Sequence, residues 1–423
     1  MTEHVASGTA RYRAVLGNSE LVALLAARLL SGIGDQMARV VLALYVLERS
    51  NGNAFLAAGV LAVSYLPSTF GFAFLGSLAD RFPRRSVMLW ADLARAVLVA
   101  MLAVAVSRDA NVMAVLLLLI VEMFSAPALS ARSSLLPDAS RSPVEYQAVV
   151  GLGTTFEQVV QVLGFILAGV ALGLTSAGWV LLFNALTFLI SYLIVLAFVV
   201  PRPAAAASGT SLRRMMSDSK SGLRTILKTN NIRAVVVLLW LSAALLVATD
   251  AVALPYATQD GSPPWAATVL LAATPAGAAV GALLVARLAM ERQVRLIFPL
   301  ALASMVPLLA TAVQPPLALT AVLWFLNGLC QGYVVTLMAL SMQLTPEQRR
   351  GRVFGVAGAG FNAMAIVGFI GFGFVAERTS PAAAIVLAGA VGLTILVVAA
   401  WWWPHRQVRS AVRATFGVAP RRS

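Results

Sequence analysis

Apolar residues in this chain come in long blocks, separated by short turns rich in arginine, glycine and proline. An apolar run of about 20 residues crosses a membrane as an α-helix, because hydrocarbon offers the backbone no hydrogen-bonding partner outside the helix itself. The pattern predicts twelve such spans, at about 21–47, 54–79, 86–106, 111–132, 146–173, 178–200, 232–256, 265–287, 295–313, 316–343, 352–376 and 381–403. The longest polar stretch, 201–231, separates six spans from six. The expected organisation is therefore an N-terminal tail (1–20), a six-helix bundle (21–200), a linker (201–231), a second six-helix bundle (232–403) and a basic C-terminal tail (404–423). The fold class is all-α integral membrane.

Composition agrees with that reading. The chain is 60% hydrophobic and 11% charged, with mean hydropathy +0.87, far outside the range of a soluble domain. A net charge of +14 by itself suits a nucleic-acid partner, but its placement does not. Of the 31 Lys and Arg, 25 lie in the tails and in the 2–3, 4–5, 6–7, 8–9 and 10–11 connections. The opposite loops hold Arg49, Arg108 and Arg378. Such alternation is the signature of topology, and it places both termini in the cytoplasm of a multi-pass plasma-membrane protein. The preference for Arg over Lys and the abundance of Ala and Val point to a bacterium with a GC-rich genome. The first span is too long for a signal sequence, and no cleavage is expected. The single cysteine, Cys330, and the two histidines, His4 and His405, form no metal-ligand set. No phosphate-binding loop and no catalytic constellation occurs, so neither a nucleotide-driven pump nor an enzyme is encoded. Gly355, Gly358 and Gly360 lie in an apolar span and are expected to serve close helix packing.

The linker reads as an amphipathic helix on an anionic membrane surface. Leu212, Met215, Met216, Leu223, Ile226 and Leu227 fall on one face, with Arg213, Arg214, Lys220, Arg224 and Lys228 largely elsewhere.

Charges inside the spans carry the functional information, since each is costly there unless paired or facing water. Span 1 holds Arg28, Asp35 and Arg39; span 3 holds Asp92 and Arg95; Glu122, Glu157 and Asp250 lie in spans 4, 5 and 7. Five acids against three bases leave an acidic surplus of two. A proton or a cationic ligand would neutralise it, which points to a proton-coupled carrier for cationic or amphipathic molecules. Asp35 lies four residues before Arg39, so a same-helix pair is expected, with Asp35, Glu157, Glu122 and Arg39 as proton-coupling candidates. Thr154, Glu157, Gln158 and Gln161 form a polar stripe suited to an aqueous cavity. Asp92 and Arg95, three apart, are expected to pair locally. Asp250, Trp324, Asn327, Gln331, Met338, Met342, Phe361 and Asn362 complete the candidate cavity, the Trp, amide and Met residues of span 10 forming one adaptable wall. Trp401, Trp402 and Trp403 read as an interfacial anchor.

The turn between spans 2 and 3 reads Gly76-Ser77-Leu78-Ala79-Asp80-Arg81-Phe82-Pro83-Arg84-Arg85. It resembles the G-x-L-A-D-R-x-x-R-R loop of the major facilitator superfamily. Asp92-Leu93-Ala94-Arg95 and Leu344-Thr345-Pro346-Glu347-Gln348-Arg349-Arg350-Gly351-Arg352 resemble the drug:proton antiporter branch that includes bacterial macrolide and siderophore exporters. Gly281-Ala282-Leu283 to Arg287 is a degenerate second-half copy of the first turn. The resemblance implies two pseudo-symmetric six-helix bundles, alternating access and proton-coupled efflux of a small molecule. It also implies an inner-gate charge cluster of Gly76, Asp80, Arg81, Arg84, Arg85, Asp92, Arg95 and Arg132. No cofactor is implied beyond the proton gradient, and the expected partners are substrate, protons and lipid, the protein acting as a monomer without nucleic acid. One departure stands out: antiporters of the family carry Gly-Pro in span 5, and here Gly164 is followed by Phe165. An importer or lipid flippase on the same fold, or a non-transporting membrane sensor or scaffold, stays open as an alternative.

Overall fold

The computed structural model describes residues 15–66, 82–202, 212–259, 262–405 and 407–408. Among them the backbone is helical with no strand. Eleven helices are long and apolar enough to cross a membrane, and the shorter Ala54–Val63 stands at the start of expected span 2. The helices are α1 (Ser19–Arg49), α2 (Ala54–Val63), α3 (Arg84–Ser107), α4 (Asn111–Met123), α5 (Ser125–Ala139), α6 (Pro143–Leu174), α7 (Ala177–Phe198) and α8 (Leu212–Lys228). They continue as α9 (Asn230–Leu246), α10 (Ala248–Thr258), α11 (Pro264–Ala286), α12 (Met290–Ala310), α13 (Leu317–Cys330), α14 (Tyr333–Gln343), α15 (Arg350–Arg378) and α16 (Pro381–Trp402).

Spans 4, 7 and 10 are each broken into two helices, at Phe124, Val247 and Gln331–Gly332. In span 4 the cause is local, since Pro127 has no N–H to give the carbonyl of Met123. In span 10 the break falls where Gly328 and Gly332 press against α11; a Cβ on Gly328 would stand 1.9 Å from the Thr274 carbonyl.

Two compact units emerge. The first comprises Met1–Tyr45 and Phe70–Ser211. At one end its core gathers Leu21 and Leu24 of α1, Met88 of α3, Leu135 of α5, Val149 of α6 and Val195 of α7. Ser142 caps α6 by accepting from the Glu145 N–H, and Asn18 ties the start of α1 to Glu145 and to the Ala139 carbonyl. Arg202, beyond the last span of this unit, donates to the Glu20 carboxylate at 2.7 Å, and this hydrogen bond raises the already high pKa of the guanidinium.

The second unit comprises Val46–Thr69 and Leu212–Ser423. Helix α2 belongs to it through α15: Gly373 lies against Ala58, the rings of Phe55 and Phe374 meet edge to face at 6.4 Å, and the Ala54 N–H donates to Glu377 at 2.8 Å. Helix α8 is docked by a buried Ile226 against Ile232, Val236, Val353 and Ala357, and by an Asp218–Arg352 ion pair at 2.9 Å. Leu223 and Leu227 of the same helix stay exposed, so the amphipathic face is divided between α15 and the surroundings. Between α11 and α13, a Cβ added to Gly277 or Gly281 would stand 2.0 Å from the Phe325 or Leu329 carbonyl, so the helices touch backbone to backbone. Gly360 likewise seats Trp240, whereas Gly355 and Gly358 have nothing within 4 Å. Of that trio, only Gly360 is a packing glycine.

Both units leave large apolar side chains outside, among them Trp90, Val112, Leu174 and Trp179. Such a surface is stable only against lipid.

Candidate functional site

In the first unit three arginines are each paired with an acid from another helix, although Arg95 keeps a buried Nε without a partner. Arg95 of α3 donates through Nη2 to both Asp35 oxygens, at 2.8 and 2.7 Å. Arg39 of α1 holds Glu122 of α4 through Nε (2.9 Å) and Nη2 (3.2 Å). Arg28 of α1 holds Glu157 of α6 through Nε (2.8 Å) and Nη2 (2.7 Å). The expected same-helix pair between Asp35 and Arg39 is therefore replaced by two pairs between helices. So is the expected Asp92–Arg95 pair: Asp92 accepts from Ser191 Oγ of α7 at 2.7 Å. Helices α3 and α4 present partners that are better aligned than a neighbour on the same surface, and a bidentate guanidinium contact outweighs an i,i+4 contact.

Burial separates the three pairs. Arg95 and Asp35 are 4% and 10% exposed, and the Arg95 guanidinium also lies 4.1 Å from the centroid of Phe188. Glu122 is buried with Arg39 half-buried, and Glu157 is open at 47%. Gln158 and Gln161, on the same helix as Glu157, are half-buried. The side chain of Thr154 lies outside the described residues.

Of the expected gate cluster, Gly76, Asp80 and Arg81 lie outside the described residues. Arg84 donates to the Ser134 carbonyl at 2.7 Å and pairs with Asp138, and Arg85 donates to the Leu196 carbonyl at 2.6 Å. Arg132 is buried within electrostatic reach of Asp92, Arg95, Arg28 and Glu157. Arg95 and Arg132 thus belong to one charged patch that runs from α1 through α3, α5 and α6. Reading the sequence missed three contributors to this unit: Ser191, the Phe188 ring, and the Asn184–Thr187 pair that fills the space opposite Gly34. Their signal was a polar residue every three or four positions along span 6.

The second unit is different. Asp250, in the first turn of α10, has an Oδ1 atom that is fully buried with no hydrogen-bond partner. Trp324 is fully buried against Tyr256, with ring centroids 5.8 Å apart, and its Nε1 also lacks a partner. Asn327 donates to the Ser304 carbonyl at 2.7 Å and accepts from Gln331 at 2.8 Å, both side chains being buried. Met338 and Met342 are exposed, and Phe361 and Asn362 are half-buried. The span 10 stripe is thus not one wall. Its amides join α13 to α12, and its methionines lie beyond the break at Gln331–Gly332, where the helical phase is reset. Trp401 and Trp402 are exposed, as an anchor requires, but Trp403 is packed edge to face on Phe298 at 5.2 Å.

Eleven helices among the described residues that are long and apolar enough to cross a membrane, breaks within spans of both units and an ion-pair network in the first define a polytopic membrane protein. The family model of the Major Facilitator Superfamily matches residues 24–316 and 251–421, and the chain belongs to that superfamily. It is 28% identical over 345 residues to the multidrug efflux pump Tap of Mycobacterium tuberculosis and of Mycobacterium bovis, covering 79% of this chain and 81% of the relative. Among solved structures, the nucleoside transporter NupG aligns with a TM-score of 0.73 at 14% identity, over 90% of this chain and 98% of that one. The inward-open xylose transporter XylE from E. coli aligns with a TM-score of 0.66 at 15% identity, over 90% and 96%. At these identities the structures speak for the fold.

Proposed function

We propose that this transporter exports amphipathic or cationic small molecules across the bacterial plasma membrane in exchange for protons. In this reading it works as a monomer by alternating access of two six-helix bundles, with both termini in the cytoplasm. Efflux is supported by the similarity to a multidrug efflux pump along most of both chains. Exchange for protons is supported by one observation. Asp250 is left with a buried, unpartnered oxygen after Arg28, Arg39 and Arg95 have taken Glu157, Glu122 and Asp35. An intramembrane acid in that state is neutralised by a proton or by a cationic group, and exchange of one for the other is antiport.

The paired acids take a second part. Asp35, Glu122 and Glu157 each tie two helices through an arginine, so parting of these pairs would accompany movement of α1 against α3, α4 and α6. The Arg28–Glu157 pair, open on its helix face, is the one best placed to meet water. The amphipathic class of substrate follows from the mixed character of Trp324, Met338, Met342 and Phe361 in the second unit.

The test is purified protein in liposomes enclosing a pH-sensitive dye, with a panel of lipophilic cations and macrolides. Proton flux that requires substrate, and that disappears in Asp250→Asn, is the expected result. Substrate movement that ignores the pH gradient would overturn proton coupling, and flux that persists in Asp250→Asn would move the site to Asp35 or Glu157.

A further inference from the structure

A cleft of about 400 Å³ opens on the second unit between the start of α9 and the end of α16. Its lining changes character with depth. Asn230, Arg233 and Gln407 stand at the mouth beside Trp402, and Val237 and Leu241 lie one and two further turns along α9, opposite Ala399. Trp403 forms a fixed wall, since it is itself packed on Phe298. Trp401 and Trp402 are 82% and 77% exposed at the end of α16, as tryptophans of an interfacial belt are.

Among the described residues that line the cleft there is no acidic side chain to meet the charge at its mouth. Arg233 donates to the Leu227 carbonyl at 3.2 Å and to Asn230 Oδ1 at 2.7 Å, both neutral acceptors. Lys228 and Arg224, on the last turns of α8, are exposed nearby, whereas Asp218 of that helix is engaged by Arg352. Helix α9 starts at Asn230 without a side-chain cap, which adds the positive end of its dipole to the same mouth.

We infer that this cleft binds one anionic phospholipid, its phosphate on Arg233 and one acyl chain along Val237 and Leu241. The volume lies in the range of about 300–1,000 Å³ of small-molecule sites. The order of the lining, charge and amide, then tryptophan, then aliphatic, matches a phospholipid from headgroup to chain. A zwitterionic lipid supplies the chain but no net charge for Arg233. The chain's own C-terminal stretch supplies the wrong sign, with Arg409, Arg413, Arg421 and Arg422. The site touches span 7 just before its break at Val247, so an occupied cleft would steady the half of that span that leads to Asp250. The inference does not depend on the direction or coupling of transport.

Native mass spectrometry of the full-length protein, released from detergent after incubation with phosphatidylglycerol or phosphatidylcholine, tests it. Wild type is expected to retain phosphatidylglycerol preferentially. Arg233→Ala should lower that retention about fivefold, as expected for one basic residue at a lipid surface, Arg233→Lys should largely keep it, and Val237→Trp should block both lipids by filling the cleft. Arg295→Ala, removing an exposed arginine of α12, should change nothing. Equal retention of the two lipids by wild type, or undiminished phosphatidylglycerol on folded Arg233→Ala, would overturn the assignment. So would displacement of the lipid by millimolar inorganic phosphate, which would make this an anion site without a chain.

Discussion

The two units hold themselves together by different means. The first joins its helices with charge: three interhelical arginine–acid pairs, a serine on Asp92 and a buried Arg132 link α1, α3, α4, α5, α6 and α7. The second joins its long spanning helices mainly with small residues and neutral amides, its charged contacts lying at α8 and α2. Gly277, Gly281 and Gly328 bring α11 and α13 into backbone contact, and Asn327 reaches the Ser304 carbonyl. Ion pairs can be opened by a proton, whereas glycine contacts cannot. In the proposed cycle the ion pairs of the first unit would therefore be the part that switches, while in the second unit Asp250 stands out by a buried carboxylate oxygen without a hydrogen-bond partner.

That contrast can be broken at its strongest point. Arg95→Ala leaves Asp35 buried without a partner and should destabilise the folded protein by about 3–5 kcal/mol, read as unfolding in mixed micelles. Replacing both partners, Arg95→Leu with Asp35→Leu, should recover most of that loss while abolishing coupled transport. A double variant as unstable as Arg95→Ala would show that charge is not what joins α1 to α3.

Glycine contacts come next. Gly281→Val puts a side chain where the Leu329 carbonyl stands and should cost about 1–3 kcal/mol through overpacking. Its effect on the apparent melting temperature should be the same at pH 6 and pH 8, since no titrating group takes part. A pH-dependent loss would mean that the second unit also depends on charge.

Smaller effects are expected where pairs are open. Arg28→Gln removes the partner of an exposed Glu157 and should change stability by about 1 kcal/mol or less, while shifting the pH dependence of transport. Glu377→Gln keeps an acceptor for the Ala54 N–H and should cost only a few tenths of a kcal/mol. A large loss in Glu377→Gln would show that its charge, rather than its hydrogen bond, holds α2 to α15.

Much of the fold was legible before any coordinates. Each predicted span coincides with helical backbone, span 2 through its first part, because the demand of hydrocarbon on the backbone is local and leaves a plain mark in composition. The charged residues that matter were legible too, since a charge in an apolar run is conspicuous. Their partners were not. Asp35 finds Arg95 and Arg39 finds Glu122 across 60 and 83 residues, and same-helix geometry offered a nearer but inferior choice. The breaks in spans 7 and 10 were also invisible in hydropathy, which does not register where a helix is interrupted inside an apolar run.

Sequence alone thus determined the class of the molecule: an α-helical membrane protein, its spans, and a surplus of acids over bases along the apolar runs, which the burial of Arg132 reduces from two to one. Each of these follows from the transfer of individual residues out of water, a property that residues carry one by one. Only the tertiary structure decided which acids form the surplus. Arginines choose among acids by geometry between helices, and that choice leaves Asp92 on a serine near Arg132 and Asp250 without a partner for its buried oxygen.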